Sequence, residues 1–243
     1  MKNLLGKIFA VWALIVFVIT LLPVALLMWV IGIINEPKRT AIFRKISIVW
    51  MRIFFFLTGC RLKIFGKKNF RQGENYIVTC NHNSFMDVPV ATPFIPRANK
   101  TIAKAEMAKI PLFGLIYKRG SVLVDRNERK SREDSFKKMK QVLQLGMDMC
   151  IYPEGTRNKT TLPLKDFHSG AFRLAIETGT AIIPALIFNT KKVLPAGKFY
   201  FWPAKMELHF LPAVQVNGGE GYELLKEKIH RIMSEYYELH LKK

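Results

Sequence analysis

Acidic side chains are scarce. Only 18 Asp and Glu stand against 38 Lys and Arg in 243 residues, a formal charge of +20. That imbalance favours anionic partners: a lipid headgroup surface, nucleic acid or an acidic carrier. Nucleic acid falls away, because the cations are spread along the chain and are not interleaved with aromatics in a recognisable module. Cysteine is nearly missing too. Cys60, Cys80 and Cys150 show neither pairing nor metal spacing, and read as buried thiols in a reducing compartment. No Gly-x-Ser-x-Gly elbow occurs, which argues against a serine hydrolase. Repeats, low-complexity tracts and long linkers are also lacking, so the length fits one large domain plus an appendage.

The longest gap is in charge. Between Ile8 and Ile34 there is none, and Leu, Val, Ile, Phe and Trp dominate. About twenty apolar residues cross a bilayer, so this run is long enough to span one. It is too long for the apolar core of a signal peptide, and no small-residue cleavage site follows. Pro23 lies near its middle and is expected to kink or break a helix, leaving either one tilted span or a hairpin dipping into one leaflet. Lys38, Arg39, Arg44 and Lys45 then suit a cytoplasmic headgroup layer. The stretch from Ile46 to Cys60, apolar and aromatic around Arg52, predicts an interfacial helix, with a buried core helix as the alternative. The expectation is a membrane-associated protein held at an anionic surface, with the remainder of the chain on the cytoplasmic face of the inner (plasma) membrane.

After Gly66 the pattern changes to short apolar runs alternating with amphipathic ones. Tyr76–Cys80, Thr101–Ala103, Ser121–Val124, Met149–Tyr152, Ala181–Ile187 and Met206–Leu211 predict strands. Val88–Ala91, Ser131–Gln144, Ser169–Thr178 and Gly221–Leu241 predict helices; Phe136, Met139, Val142 and Leu143 recur at helical spacing, and Gly146 suits a stop. Such alternation argues for a single α/β domain built on a mixed sheet with flanking helices. The division is 1–65, an N-terminal helical membrane segment, and 66–243, the α/β domain.

Three stretches carry chemistry. In Cys80-Asn81-His82-Asn83-Ser84-Phe85-Met86-Asp87 a strand delivers a base and a carboxylate to a strand-to-helix junction, where open α/β sheets bind ligands. His82 is a candidate general base, and a carboxylate on its other ring nitrogen would fix the tautomer. On a continuous helix His82 and Asp87 would lie about 140° apart, so they meet only across a turn. Asn83-Ser84 is turn material. The second stretch, Ile151 to Asn158, ends a strand in Pro153-Glu154-Gly155-Thr156-Arg157. Gly155 permits close backbone approach, Thr156 and Arg157 offer donors, and the Arg fork fits phosphate. Glu154 is placed either to hold Arg157 or to receive a substrate hydroxyl. The third, Lys118 to Arg126, puts Arg126 at a strand end as a second phosphate contact, with Lys104 ending another strand as a third.

Asn81-His82…Asp87, Gly120…Asp125-Arg126, Pro153-Glu154-Gly155-Thr156-Arg157 and Ile183-Pro184 stand in the order of four motifs of glycerolipid acyltransferases. The chain resembles that family over residues 70–190, and most closely its bacterial 1-acyl-sn-glycerol-3-phosphate acyltransferases. Asn158 stands where Ser is common, and Leu123-Val124 replaces a Phe-Ile pair. The resemblance implies His82 as general base on the sn-2 hydroxyl of lysophosphatidic acid, with Asp87 orienting it. It implies an acyl-CoA or acyl carrier protein thioester as donor, no covalent acyl-enzyme, and neither cofactor nor metal. Lys104, Gly120, Arg126, Glu154, Gly155, Thr156 and Arg157 would form the substrate site. Two rivals stand beside this: an acyltransferase for another lyso-lipid, such as a lyso-ornithine or amino lipid, and a non-catalytic protein that binds acidic lipid.

Overall fold

Pro23 does not end the first helix. In the computed structural model, which describes residues 2–216 and 219–241, α1 runs unbroken from Lys2 to Val30. Proline removes one backbone donor from the turn that contains it. The neighbouring Thr20 hydroxyl donates to the Val16 carbonyl and accepts from the Trp50 indole, which ties this turn to the next helix. The chain reverses only after Ile34, and α2 (Lys38–Leu57) runs back along α1. The apolar run is therefore one continuous helix, and the chain reverses beyond it rather than at Pro23. Glu36 locks the turn. Its carboxylate accepts the Thr40 amide and hydroxyl and pairs with Arg39 and Lys100. Burial opposes the charge, yet the bonds from Lys100, Thr40 and Arg39 prevail and hold the pKa down at about 2.

Small side chains let α1 lie close. Gly6, Ala10, Ala13 and Ala25 are buried, and the Gly6 carbonyl accepts the Phe201 amide. The opposite face keeps Ile8, Trp12, Ile19, Leu26 and Trp29 exposed. By length and composition α1 could cross a membrane, but a third of its most apolar stretch is buried against the protein. The second helix is partly a core helix, as one of the two expectations had it. Trp50, Met51, Phe54 and Phe55 enter the core while Val49, Ile53 and Phe56 face outward.

Seven strands form one mixed sheet in the order β1-β7-β6-β2-β5-β3-β4. They are β1 (Arg61–Phe65), β2 (Ile77–Cys80), β3 (Asn99–Lys104), β4 (Ser121–Val124), β5 (Asp148–Ile151), β6 (Ile182–Phe188) and β7 (Lys205–Phe210). β6, β2, β5, β3 and β4 are parallel; β7 runs antiparallel to β6 and parallel to β1. The short α3 (Asp87–Ala91) packs with α1 and α2 on one face. On the other lie α5 (Arg129–Gln144), α6 (Gly170–Thr178) and α8 (Tyr222–Leu241). Two further helices, α4 (Phe113–Gly120) and α7 (Thr190–Val193), sit beside strand ends. The three cysteines are free and buried.

Six strands fall within two residues of their expected bounds. The seventh, β1, lies before the expected boundary at 65/66 and is an edge strand with alternating exposure. The N-terminal segment therefore contributes to the sheet. Because five neighbouring strands are parallel, their carboxyl ends share one edge, which decides where the functional side chains meet.

Candidate active site

β2 ends at Cys80, and the chain then turns sharply through Asn81–Met86 before α3 begins at Asp87. Asn81 fixes the exit by pairing with the Ile187 carbonyl and amide of β6. His82 Nδ1 lies 2.8 Å from Asp87 Oδ2. The same oxygen accepts the Asn83 and Ser84 amides at 2.5 and 2.7 Å, and Oδ1 accepts the Thr190 hydroxyl at 2.5 Å. Asp87 is fully buried, and those donors replace its hydration. The carboxylate holds the proton on Nδ1, which leaves Nε2 as the basic nitrogen. The imidazole leans on the Tyr152 ring, centroids 4.5 Å apart.

β5 ends at Ile151 and feeds the Pro153–Asn158 loop. Gly155 has φ +68°, and a Cβ there would strike the His168 ring, so the turn admits glycine alone without strain. Glu154 departs from expectation. It is buried, with Oε1 accepting the His82 amide at 2.7 Å and Oε2 accepting the Lys165 amide at 3.1 Å. It neither holds Arg157 nor lines the cavity; both oxygens are spent on backbone. Burial pushes its carboxyl pKa up, and the two amides oppose that. Asn158, the departure from the familiar motif, binds the loop to the His82 turn. Its amide donates to the His82 carbonyl at 2.6 Å, and its side chain caps Thr160 and Leu162.

The Arg157 guanidinium lies 3.4 Å over the Phe85 ring, and its buried Nη1 has no hydrogen-bond partner among the described residues. Arg126, from the end of β4, donates to the Gly155 carbonyl and so clips two strand ends together. Thr156 accepts Lys165 Nζ at 2.7 Å. Lys104 ends β3 and lies 3.7 Å from Glu106. Gly120 closes α4, where a Cβ would strike the Phe43 ring; its smallness brings α2 against the sheet.

One cavity of about 740 Å³ joins these parts. His82, Lys104, Gly120, Arg126, Gly155, Thr156 and Arg157 all line it, so seven of the nine expected residues meet there. Asp87 and Glu154 stand behind the wall. The cavity continues between the sheet and the helical hairpin, walled by Ala13, Phe17, Trp50, Met51 and Phe54. The apolar side was not foreseen, because the N-terminal run reads only as membrane segment. Lys198, Phe85 and Tyr152 were also missed, as was Thr190, which lies 103 positions from Asp87.

A carboxylate-oriented imidazole, set between the cations Lys104, Arg126 and Arg157 and an apolar channel, has the parts of a group-transfer enzyme. The family model described as Acyltransferase matches residues 61–188. A 1-acyl-sn-glycerol-3-phosphate acyltransferase of Helicobacter pylori (strain J99) is 30% identical over 190 residues, covering 76% of this chain and 79% of that protein. One of Borreliella burgdorferi is 27% identical over 199 residues, 78% of this chain and 76% of its own. The crystal structure of the 1-acyl-sn-glycerophosphate (LPA) acyltransferase PlsC from Thermotoga maritima shares the fold, with TM-score 0.81 and 23% identity over 100% of this chain and 97% of that one. The chain belongs to the acyltransferase family and is an O-acyltransferase.

Proposed function

We propose that the protein transfers an acyl chain from acyl-CoA or acyl carrier protein to the sn-2 hydroxyl of lysophosphatidic acid, giving phosphatidic acid. The observation that carries this reading is the sharing of one cavity by His82, Arg126, Arg157 and a long apolar wall. The acceptor hydroxyl gives its proton to His82 Nε2 while its oxygen attacks the thioester carbonyl. The tetrahedral intermediate collapses with loss of thiolate, and the imidazolium returns the proton to that sulfur. Asp87 stabilises the imidazolium, and no enzyme nucleophile is needed. Arg157, with a buried donor to spare, and Arg126 hold the phosphate. The apolar wall takes an acyl chain. The names of the relatives support the same acceptor.

The hairpin supports a location at the membrane. Its exposed Trp12, Ile19 and Phe56 form an apolar face for the lipid, and the basic surface favours an anionic leaflet on the cytoplasmic side.

The test is product analysis with each donor, using lysophosphatidic acid or a zwitterionic lyso-lipid as acceptor. Arg157→Ala is expected to raise KM for lysophosphatidic acid about 10–100-fold, the worth of a charged hydrogen bond. Product from zwitterionic acceptors only, with kinetics untouched by Arg157→Ala, would overturn the phosphate assignment.

A further inference from the structure

On the sheet face beneath α8, outside the catalytic cavity, three ligand-type side chains converge. Glu207 and His209 are two apart on β7 and so share a face; His240 reaches down from the last turn of α8. Glu207 Oε2 lies 3.1 Å from His209 Nε2 and 3.2 Å from His240 Nε2, and all three atoms lie within 4.8 Å of one another. None of the three lines the catalytic cavity.

We propose that Glu207, His209 and His240 bind a divalent transition metal, zinc by ligand class, as a structural clamp between β7 and the end of α8. A carboxylate and two imidazoles at about 2.0–2.1 Å around a tetrahedral ion stand roughly 3.3 Å apart, close to the 3.1 and 3.2 Å from Glu207 to the two histidines, and a solvent molecule would complete the four ligands. The outer contacts also fit. Tyr236 Oη lies 2.8 Å from His209 Nδ1, so that nitrogen can carry the proton and leave the Nε2 lone pair for the metal. Lys205 Nζ engages Glu207 Oε1 at 2.6 Å, which leaves Oε2 as the single carboxylate ligand. Glu207 and His209 are buried, and Phe65 and Phe188 wall the imidazoles with rings 4.2–5.2 Å away, a dry shell that favours neutral nitrogen and ion-bound carboxylate. His240, about 29% exposed, leaves the entry path. The clamp fastens the end of the C-terminal helix over β7, beside the β6 exit that carries Thr190.

The competing account is a plain ion-pair network in which Lys205 and two histidines merely share Glu207. Full-length, tag-free, EDTA-treated protein in detergent micelles, titrated with zinc by calorimetry and with cobalt by visible spectroscopy, separates the two. The clamp predicts one equivalent of zinc and a tetrahedral cobalt spectrum. It also predicts a Tm rise of about 5 °C with zinc at a hundredfold excess over Kd. His240→Ala and Glu207→Gln are expected to weaken binding by more than the roughly 10–100-fold that loss of an outer partner costs. Metal-free His240→Ala is expected to keep wild-type acyl transfer. Absence of one-equivalent binding by the wild type up to about 100 µM metal, or undiminished binding by both variants, would overturn the proposal.

Discussion

Asp87 accepts four hydrogen bonds, from the His82 ring, the Asn83 and Ser84 amides and the Thr190 hydroxyl. Three of these come from its own turn, and only Thr190, the first residue of α7, arrives from elsewhere in the chain. Thr190→Val removes that donor without changing side-chain shape much. The expected result is a fall in kcat of about 10–100-fold at constant KM, matching the roughly 1.5–3 kcal/mol of a bond to a charged group. Steady-state kinetics on both substrates reads the split. Asp148 offers a test of another kind. Burial raises its pKa to about 7, against the Tyr76 amide and the charges of Arg97 and Arg44. The unfolded chain releases this proton near pH 4, whereas the folded protein keeps it until about pH 7. Stability therefore falls as pH rises between those values, by about 4 kcal/mol for three units, and is flat above. Asp148→Asn is expected to stabilise the protein at pH 8, with the gain vanishing toward pH 4; denaturant midpoints at the two values check it.

At the scale of elements, the strand ends were legible and the helical hairpin was not. A run such as Ile77–Cys80 followed by Asn-His reads as strand then turn, and parallel neighbours bring the remaining motifs to the same edge. The hidden part was α1. An uncharged run of 27 residues from Ile8 to Ile34 has the composition of a membrane span, and composition cannot show that Ala10 and Ala13 face a cavity. Pro23 does not break the helix: tertiary support from α2 through Thr20 and Trp50 helps to sustain the turn that contains it. Ala13→Phe places bulk in the apolar wall. It is expected to cut turnover of long-chain donors about 5–100-fold, from the roughly 1–3 kcal/mol typical of overpacking, while sparing short-chain donors. Competition between donors of different length, measured by product mass, checks this.

Across the whole molecule, charge and apolar surface divide the work. The net charge of +20 favours anionic substrates and an anionic leaflet, and the hairpin lines the cavity that reaches the catalytic edge, which the proposed reading connects to the lipid phase. Motif spacing made the convergence of His82, Arg126 and Arg157 readable, but roles depended on burial. Glu154 adjoins Arg157's loop in the chain yet serves backbone amides, because both of its oxygens are drawn inward by His82 and Lys165. The central claim is that the imidazole of His82 moves the proton within this shared cavity. Acyl transfer by His82→Ala in mixed micelles, with Tm and lysophosphatidic acid binding followed in parallel, tests it most directly. The rate is expected to fall about 10²–10⁴-fold with folding and binding retained; a rate within a few fold of wild type would contradict the account.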